Sequence, residues 1–256
     1  VISKQAFIDS SAKIGSDVKI GPFAVIGANV EIGAGTVVAP HVVINGPTKI
    51  GKNNHFYQFS SIGEDCQDKK YHGEDTRLEI GDNNTFREGC TVHRGTIQGG
   101  GLTAIGNDNL FMVNTHVAHD CIIGNNVIFS NGASVAGHVR VDDYANLGGF
   151  VGVHQFCVIG AYSFAAGGSI ILKDVAPFIT VSGHPAQAHG LNNVGLTRRE
   201  FSSEVINALK QAYKIVFRTS ATVNDAIEKL DVLVESFAEV ALLRDFLQQS
   251  TRGIVR

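Results

Sequence analysis

The sequence predicts a parallel β-helix of hexapeptide repeats followed by a small C-terminal α-helical domain. Three observations carry this. A large apolar residue recurs every six positions through most of the chain. Glycine, 29 of 256 residues, clusters directly after that apolar residue. Beyond residue 190 the six-residue period gives way to helical stripes.

The period begins at Ile8 and runs through Ile14, Ile20, Ile26, Ile32, Val38, Ile44, Ile50, Phe56 and Ile62. It resumes at Ile80, Phe86 and Val92, slips by one residue, and restarts at Ile105. From there it continues through Phe111, Val117, Ile123, Phe129, Val135, Val141, Leu147, Val153 and Ile159, weakens at Ala165 and returns at Ile171. The position two before is small or β-branched, as in Ala6, Val18, Thr36 and Val42. A period of six fits neither an amphipathic helix nor an alternating strand. It fits a short strand and a sharp corner, with the apolar residue inward and Gly relieving the backbone at the corner. Three hexads close a triangular coil, and stacked coils lie about 4.8 Å apart, the ordinary strand spacing. Residues 1–185 are assigned to this solenoid. The period does not fix its hand, but solenoids of this type are left-handed, against the usual crossover preference.

Two polar stretches break the repeat, 63–79 (GEDCQDKKYHGEDTRLE) and 93–104 (HRGTIQGGGLTA). They are read as loop insertions, where function often sits. Residues 186–256 form the second domain. Val205, Ile206, Leu209, Ala212, Tyr213, Val216 and Phe217 mark a helix from Ser202 to about Arg218, with Ser202 or Ser203 as N-cap. Thr222 and Asp225 mark the start of a second, ending near Val234, and a third spans 237–249. Capping the solenoid against edge pairing is the plain role of this domain.

Composition narrows the function classes. A net charge of −3 argues against nucleic-acid binding. No apolar run is long enough to span a bilayer, and the N-terminus lacks a signal layout. The chain starts at Val1 without an initiator Met, as expected of a numbering that begins late. Cys66, Cys90, Cys121 and Cys157 show no C-x-x-C spacing, which points to a reduced, cytoplasmic protein.

Coil length turns spacing into contact. His119, Gly137 and Gln155 are 18 apart and form one column, with His116, Asp120, His138 and His154 beside it. A histidine next to a glycine's open N–H is the minimum equipment for acyl transfer: imidazole removes a proton from the attacking group, and the N–H stabilises the oxyanion. Asp120 could hold the imidazole tautomer, provided a turn brings its side chain round to His119. The rival reading is zinc held by His116, His119 and His138.

The runs GPTKIG, QDKKY, GEDTRLEIG, HRGTIQGGGLT, HVAHDCIIGN, VAGHVRVDDYA, VHQFCVIGA and the C-terminal STRGIVR resemble one family over nearly the whole chain. It is the bacterial UDP-N-acetylglucosamine acyltransferase family, which starts lipid A synthesis. The resemblance implies a homotrimer of left-handed β-helices with active sites between subunits. It implies transfer of an (R)-3-hydroxyacyl chain from acyl carrier protein to the 3-hydroxyl of UDP-N-acetylglucosamine, with no metal and no organic cofactor. It makes His119 the general base and Gly137 the oxyanion donor, and Asp120 is counted with them as catalytic on the tautomer argument above. His116 would lie on the sugar side and His138 against the substrate. Gln67, Asp68 and Lys70 would come from the adjacent subunit's loop. His154 and Gln155 would line the uridine or acyl region. Asn192, Arg198 and Arg199 would hold the nucleotide and its phosphates.

Two further roles follow by motif. Gly167 would set acyl-chain length, leaving the groove open for about 12 to 14 carbons at the usual value per methylene, with bulky Phe164 as the alternative stop. Lys210, Lys214 and Arg218 form a basic ridge on the first helix, with no acidic residue between Val205 and Asn224, suited to docking the acidic carrier protein. Two departures from the family are Val194 for the usual Glu, which opens the possibility of a 3-amino sugar acceptor, and Glu200 for the usual Gly. Transfer from acetyl-CoA is the other alternative.

Overall fold

The computed structural model describes all 256 residues. Residues from Phe7 onward wind into a left-handed parallel β-helix of three sheets, with nine, eight and ten strands. The first sheet starts at Phe7–Ile8, the second at Lys13–Ile14 and the third at Lys19–Ile20. Most strands are two residues long, the first facing out and the second in. Regular coils pair residues 18 apart, as Val25 with Val43. Inside the third sheet Phe56, Phe86, Phe111 and Phe129 stack at centroid distances of 4.9, 4.6 and 5.0 Å. Each is fully buried, worth about 1.5–3 kcal/mol of transfer free energy.

The corner glycines are needed for a different reason from the one expected. Gly21 and Gly33, directly after inward residues, do not have positive φ. A Cβ on Gly33 would lie 2.4 Å from the Gly51 carbonyl oxygen, and one on Gly21 would lie 2.6 Å from the Pro40 nitrogen. They are there for space, because the next coil's backbone passes over them. The left-handed backbone falls two residues later, at Phe23 and Gly35. Non-glycine residues occupy most such positions, including Asp17, Asn29, Asn53 and Phe150.

The two insertions are shorter than predicted. Strands Ser61–Glu64, Arg77–Ile80, Thr91–His93 and Leu102–Ile105 take their outer residues, leaving loops 65–76 and 94–101. The solenoid ends in an antiparallel hairpin, Ile179–Gly183 with Ala186–Leu191, and the 185/186 boundary falls in its turn. AQAHGL alternates only through two alanines and a glycine, with no β-branched or aromatic residue to announce a strand. A short helix missed in the sequence, α1 (Asn193–Arg198), follows.

Helix α2 (Ser203–Lys214) is capped by Ser202, and α3 (Val223–Val234) by Thr222. A π-helical turn, Ile215–Thr219, replaces the last turn of the predicted first helix. Helix α4 (Val240–Gln249) starts three residues later than expected, because Phe237 closes a turn onto the Leu233 carbonyl instead. The chain end docks back on the solenoid. Val255 N–H donates to the Asp174 carbonyl at 2.8 Å, and Ser250 Oγ to Asp174 Oδ2 at 2.7 Å.

Candidate functional site

Two grooves lie on different faces of the solenoid. The first runs along the first sheet to its edge with the second. His116 faces outward there, in register with Thr91 and Ser134. Its Nδ1 is 2.7 Å from Thr91 Oγ1. Burial, with His93 and His119 nearby, lowers the His116 pKa to about 4, so the ring is neutral at physiological pH.

His119 and Asp120 occupy the corner that follows. Asp120 has φ +59°, and this turn brings its carboxylate round to the neighbouring side chain. Asp120 Oδ2 lies 2.7 Å from His119 Nδ1, with the Asp120 side chain 1% exposed. With Nδ1 engaged, the imidazole presents Nε2 to the groove. His138 meets the His119 ring edge to face at 5.1 Å and stacks on Phe156 at 4.4 Å. Its Nε2 is 3.7 Å from Asp120 Oδ2. Burial pushes the His138 pKa down, partly opposed by Asp120.

Gly137 lies under the His119 ring. A Cβ there would sit 2.5 Å from His119 Cε1 and 2.6 Å from Nε2. The flanking N–H groups are paired, Ala136 to Val153 and His138 to His119, both at 3.0 Å. The Gly137 N–H donates to no group of the chain, so a free donor and a free imidazole nitrogen sit side by side. Donor atoms of His119, Asp120 and His138 lie within 4.8 Å of one another and could converge on a cation. His116 does not belong to that set, unlike in the zinc reading of the sequence.

The groove, about 650 Å³, is lined also by Gln67, Asp68, His154 and Gln155. Gln67 and Asp68 therefore reach the His119 groove of their own chain, where the sequence pointed to a neighbour's. The 65–76 loop is folded back by Arg94, a buried side chain that bonds the Gly63 carbonyl, Asp65 and the Tyr71 hydroxyl. Lys70 is exposed on this loop and does not line the groove.

The second groove, about 710 Å³, lies on the third sheet and is lined by Asn192, Val194, Arg198, Arg199 and Phe164. Asn192 caps α1 through Gly195 N–H at 3.0 Å and holds the Tyr162 carbonyl at 2.9 Å. The Arg199 guanidinium stacks on Tyr144, 4.3 Å from the ring centroid. Val194 is 63% exposed. Glu200 keeps the turn expected of glycine, at φ +61°, a conformation that costs a side-chain-bearing residue about 1–2 kcal/mol. Phe164 thus sits with the arginines, on a different face from the His119 groove. Gly167 lies exposed on the edge between the third and first sheets. Lys210 and Lys214 are exposed on α2, while Arg218 is carried by the π-helical turn. All four cysteines are buried and free. Burial pushes the Cys121 thiol up to about 12, which leaves it inert.

The sequence reading missed Thr96 and Arg94. Both lie in the HRGT run of the second insertion, where no spacing rule ties them to His119.

Comparison with known proteins agrees with this architecture. The family profile described as UDP-N-acetylglucosamine O-acyltransferase, domain 2, matches residues 174–255, and the bacterial transferase hexapeptide profile matches 11–46 and 103–137. An acyl-[acyl-carrier-protein]–UDP-N-acetylglucosamine O-acyltransferase of Stutzerimonas stutzeri is 52% identical, over 100% of this chain and 99% of its own. That of Pseudomonas aeruginosa strain LESB58 is 54% identical over the same shares. Among solved structures, the UDP-N-acetylglucosamine O-acyltransferase of Moraxella catarrhalis superposes with TM-score 0.98 at 49% identity, covering 100% of this chain and 99% of that one. The UDP-N-acetylglucosamine acyltransferase of Francisella novicida gives 0.98 at 40% identity, covering 100% and 94%.

Proposed function

The chain belongs to the acyl-[acyl-carrier-protein]–UDP-N-acetylglucosamine O-acyltransferase family, and from that premise we propose that it moves an (R)-3-hydroxyacyl chain onto the sugar 3-hydroxyl with His119 as general base. The observation that carries this is the pairing of a free His119 Nε2 with the unbonded Gly137 N–H. Nε2 takes the proton of the 3-hydroxyl as its oxygen attacks the thioester carbonyl. The Gly137 N–H stabilises the oxyanion. Collapse expels the carrier thiolate, which takes the proton back from Nε2. Neutral His116 serves as a hydrogen-bonding partner of the sugar. Incubation with UDP-N-acetylglucosamine and a ladder of hydroxyacyl carrier proteins, read by product mass, tests the reading. Ester product on chains of about 12 to 14 carbons is expected, and Gly167→Met should shorten the preferred chain. Product from acetyl-CoA alone, or no product on this sugar, would overturn it.

Asn192, Arg198 and Arg199 are assigned to the nucleotide of a site completed by a neighbouring copy, in a homotrimer. Surface chemistry supports that arrangement. The outward column of the second sheet is charged: Lys13, Glu31, Lys49, Glu79 and, higher up, Arg140. The outward column of the first sheet carries no Lys, Arg or Asp and only Glu64 at a strand end, and that of the third has only Lys19. The edge joining these two sheets exposes Phe23, Phe59 and Phe150, 53%, 66% and 75% accessible. With that edge turned to a three-fold axis, the first sheet of one copy faces the third sheet of the next and the charged sheet faces water. Mixed trimers of His119→Ala and Arg198→Ala subunits should recover part of the activity that each parent lacks. No recovery after verified subunit exchange would count against a shared site. Lys210, Lys214 and Arg218 are assigned to carrier-protein docking beside it.

A further inference from the structure

The second insertion makes contacts that the acyl-transfer scheme does not use. Loop 94–101 closes over Asp120. Thr96 N–H donates to Asp120 Oδ1 at 2.7 Å, and Thr96 Oγ1 donates to Oδ2 at 2.6 Å. Thr103 Oγ1 accepts the Asp120 N–H at 2.8 Å. Thr96 is itself buried and caps the 3-10 turn Ile97–Gly99, whose Gly99 N–H bonds Thr96 Oγ1 at 3.2 Å. Gly99 has no positive φ. A Cβ on it would fall 2.1 to 2.5 Å from the Asp120 carboxylate, and one on Gly95 would fall 2.9 Å from Oδ1. The glycines of this loop thus let its backbone press against a carboxylate.

We propose that loop 94–101 is a positioning device for the base: Thr96 and the bare face of Gly99 lock the Asp120 carboxylate in the one orientation that keeps the proton of His119 on Nδ1. The inference rests on His119 being the base. Oδ2 is shared between Thr96 Oγ1 and His119 Nδ1, and Oδ1 is held from the other side by the Thr96 N–H. The carboxylate cannot rotate about its χ2 axis without breaking all three bonds at once. Without that lock it is free to turn, and the neutral imidazole is free to exchange tautomers. In the wrong tautomer Nε2 carries the proton and cannot accept one. Thr96 touches no substrate groove and acts only through Asp120. The same loop supplies Arg94, which folds the Gln67–Asp68 segment over the groove, so one insertion sets both the base and the loop opposite it.

The test uses Thr96→Val, which keeps the shape and removes the hydroxyl, with Thr96→Ser restoring it and Gly99→Ala as an independent disturbance. Ring 15N shifts of His119 report the tautomer in the free enzyme without any turnover. The wild type should show a single Nδ1–H tautomer. Thr96→Val and Gly99→Ala should show a mixture, with kcat about 10- to 100-fold lower, the range for loss of one hydrogen bond to a charged group. KM for both substrates should stay within about threefold, and Thr96→Ser should recover most of kcat. An unchanged tautomer in Thr96→Val, or equal losses in Thr96→Val and Thr96→Ser, would overturn the proposal. If instead His119→Ala retains turnover, the base assignment fails, and the tautomer measurement still reports on the lock.

Discussion

Replacing His119 with Ala is expected to lower kcat at least about 100-fold, the usual contribution of a general base, while the assembled protein keeps its fold. The ring is largely enclosed by Gly137, His138 and Asp120, yet it stands outside the inward apolar column. Its removal therefore leaves the core of the solenoid in place. The neighbouring imidazoles cannot substitute. His116 titrates at about 4 and its Nδ1 is held by Thr91. His138 has a pKa lowered by burial, and its ring is stacked on Phe156. The checks are kcat of the purified variant, alongside sedimentation to confirm assembly. Turnover near wild type in His119→Ala would remove His119 from the role.

How much of this was legible in the sequence depends on the kind of interaction. The solenoid was readable because a single rule, one inward apolar residue per six, repeats in nearly every coil. Ile26, Ile44 and Ile62 are buried without exception. The His119–Gly137 column was readable for the same reason, since the repeat converts an 18-residue separation into a direct neighbour. Asp120 needed one more fact, the left-handed turn at φ +59°, which a sequence of mostly non-glycine corners does not announce. That Gln67 and Asp68 line the His119 groove of their own chain was not legible, because loop 65–76 obeys no period. Its course is set by Arg94, 29 residues from Asp65 in the chain. The corner glycines were misread in mechanism rather than position, because close approach and positive φ select the same residue. The basic ridge was only partly legible. Lys214 and Arg218 are four apart, but a π-helical turn begins between them and rotates Arg218 off the line of an ideal α-helix.

Replacing Gly137 with Ala is expected to be nearly as damaging as losing His119, although it adds only a methyl group. The backbone of Gly137 is not in the left-handed region, so the conformation itself admits alanine. The conflict is with the base. The methyl would stand 2.5 Å from Cε1, 2.6 Å from Nε2 and 3.1 Å from Nδ1 of His119, far inside contact distance. The ring cannot back away along its Nδ1 side, because Asp120 Oδ2 is already 2.7 Å off. Nor can it swing past His138, whose ring stands across it. The coil must spread or the His119–Asp120 bond must break. Spreading displaces the Gly137 N–H, and removing one oxyanion donor costs about 100- to 1000-fold in kcat. Breaking the bond frees the wrong tautomer. Either route predicts a kcat at least about 100-fold below wild type, with KM for UDP-N-acetylglucosamine within a few-fold. Gly152→Ala in the same groove is the matched control. Its methyl would meet only the mobile end of Ile170, at 3.1 Å, and kcat should fall less than about tenfold, the effect of under 1.4 kcal/mol. Steady-state kinetics on the two variants, with melting temperatures to confirm folding, separates the outcomes. A Gly137→Ala enzyme retaining more than about a tenth of wild-type kcat, or no better impaired than Gly152→Ala, would show that neither the ring position nor the N–H is used as assigned.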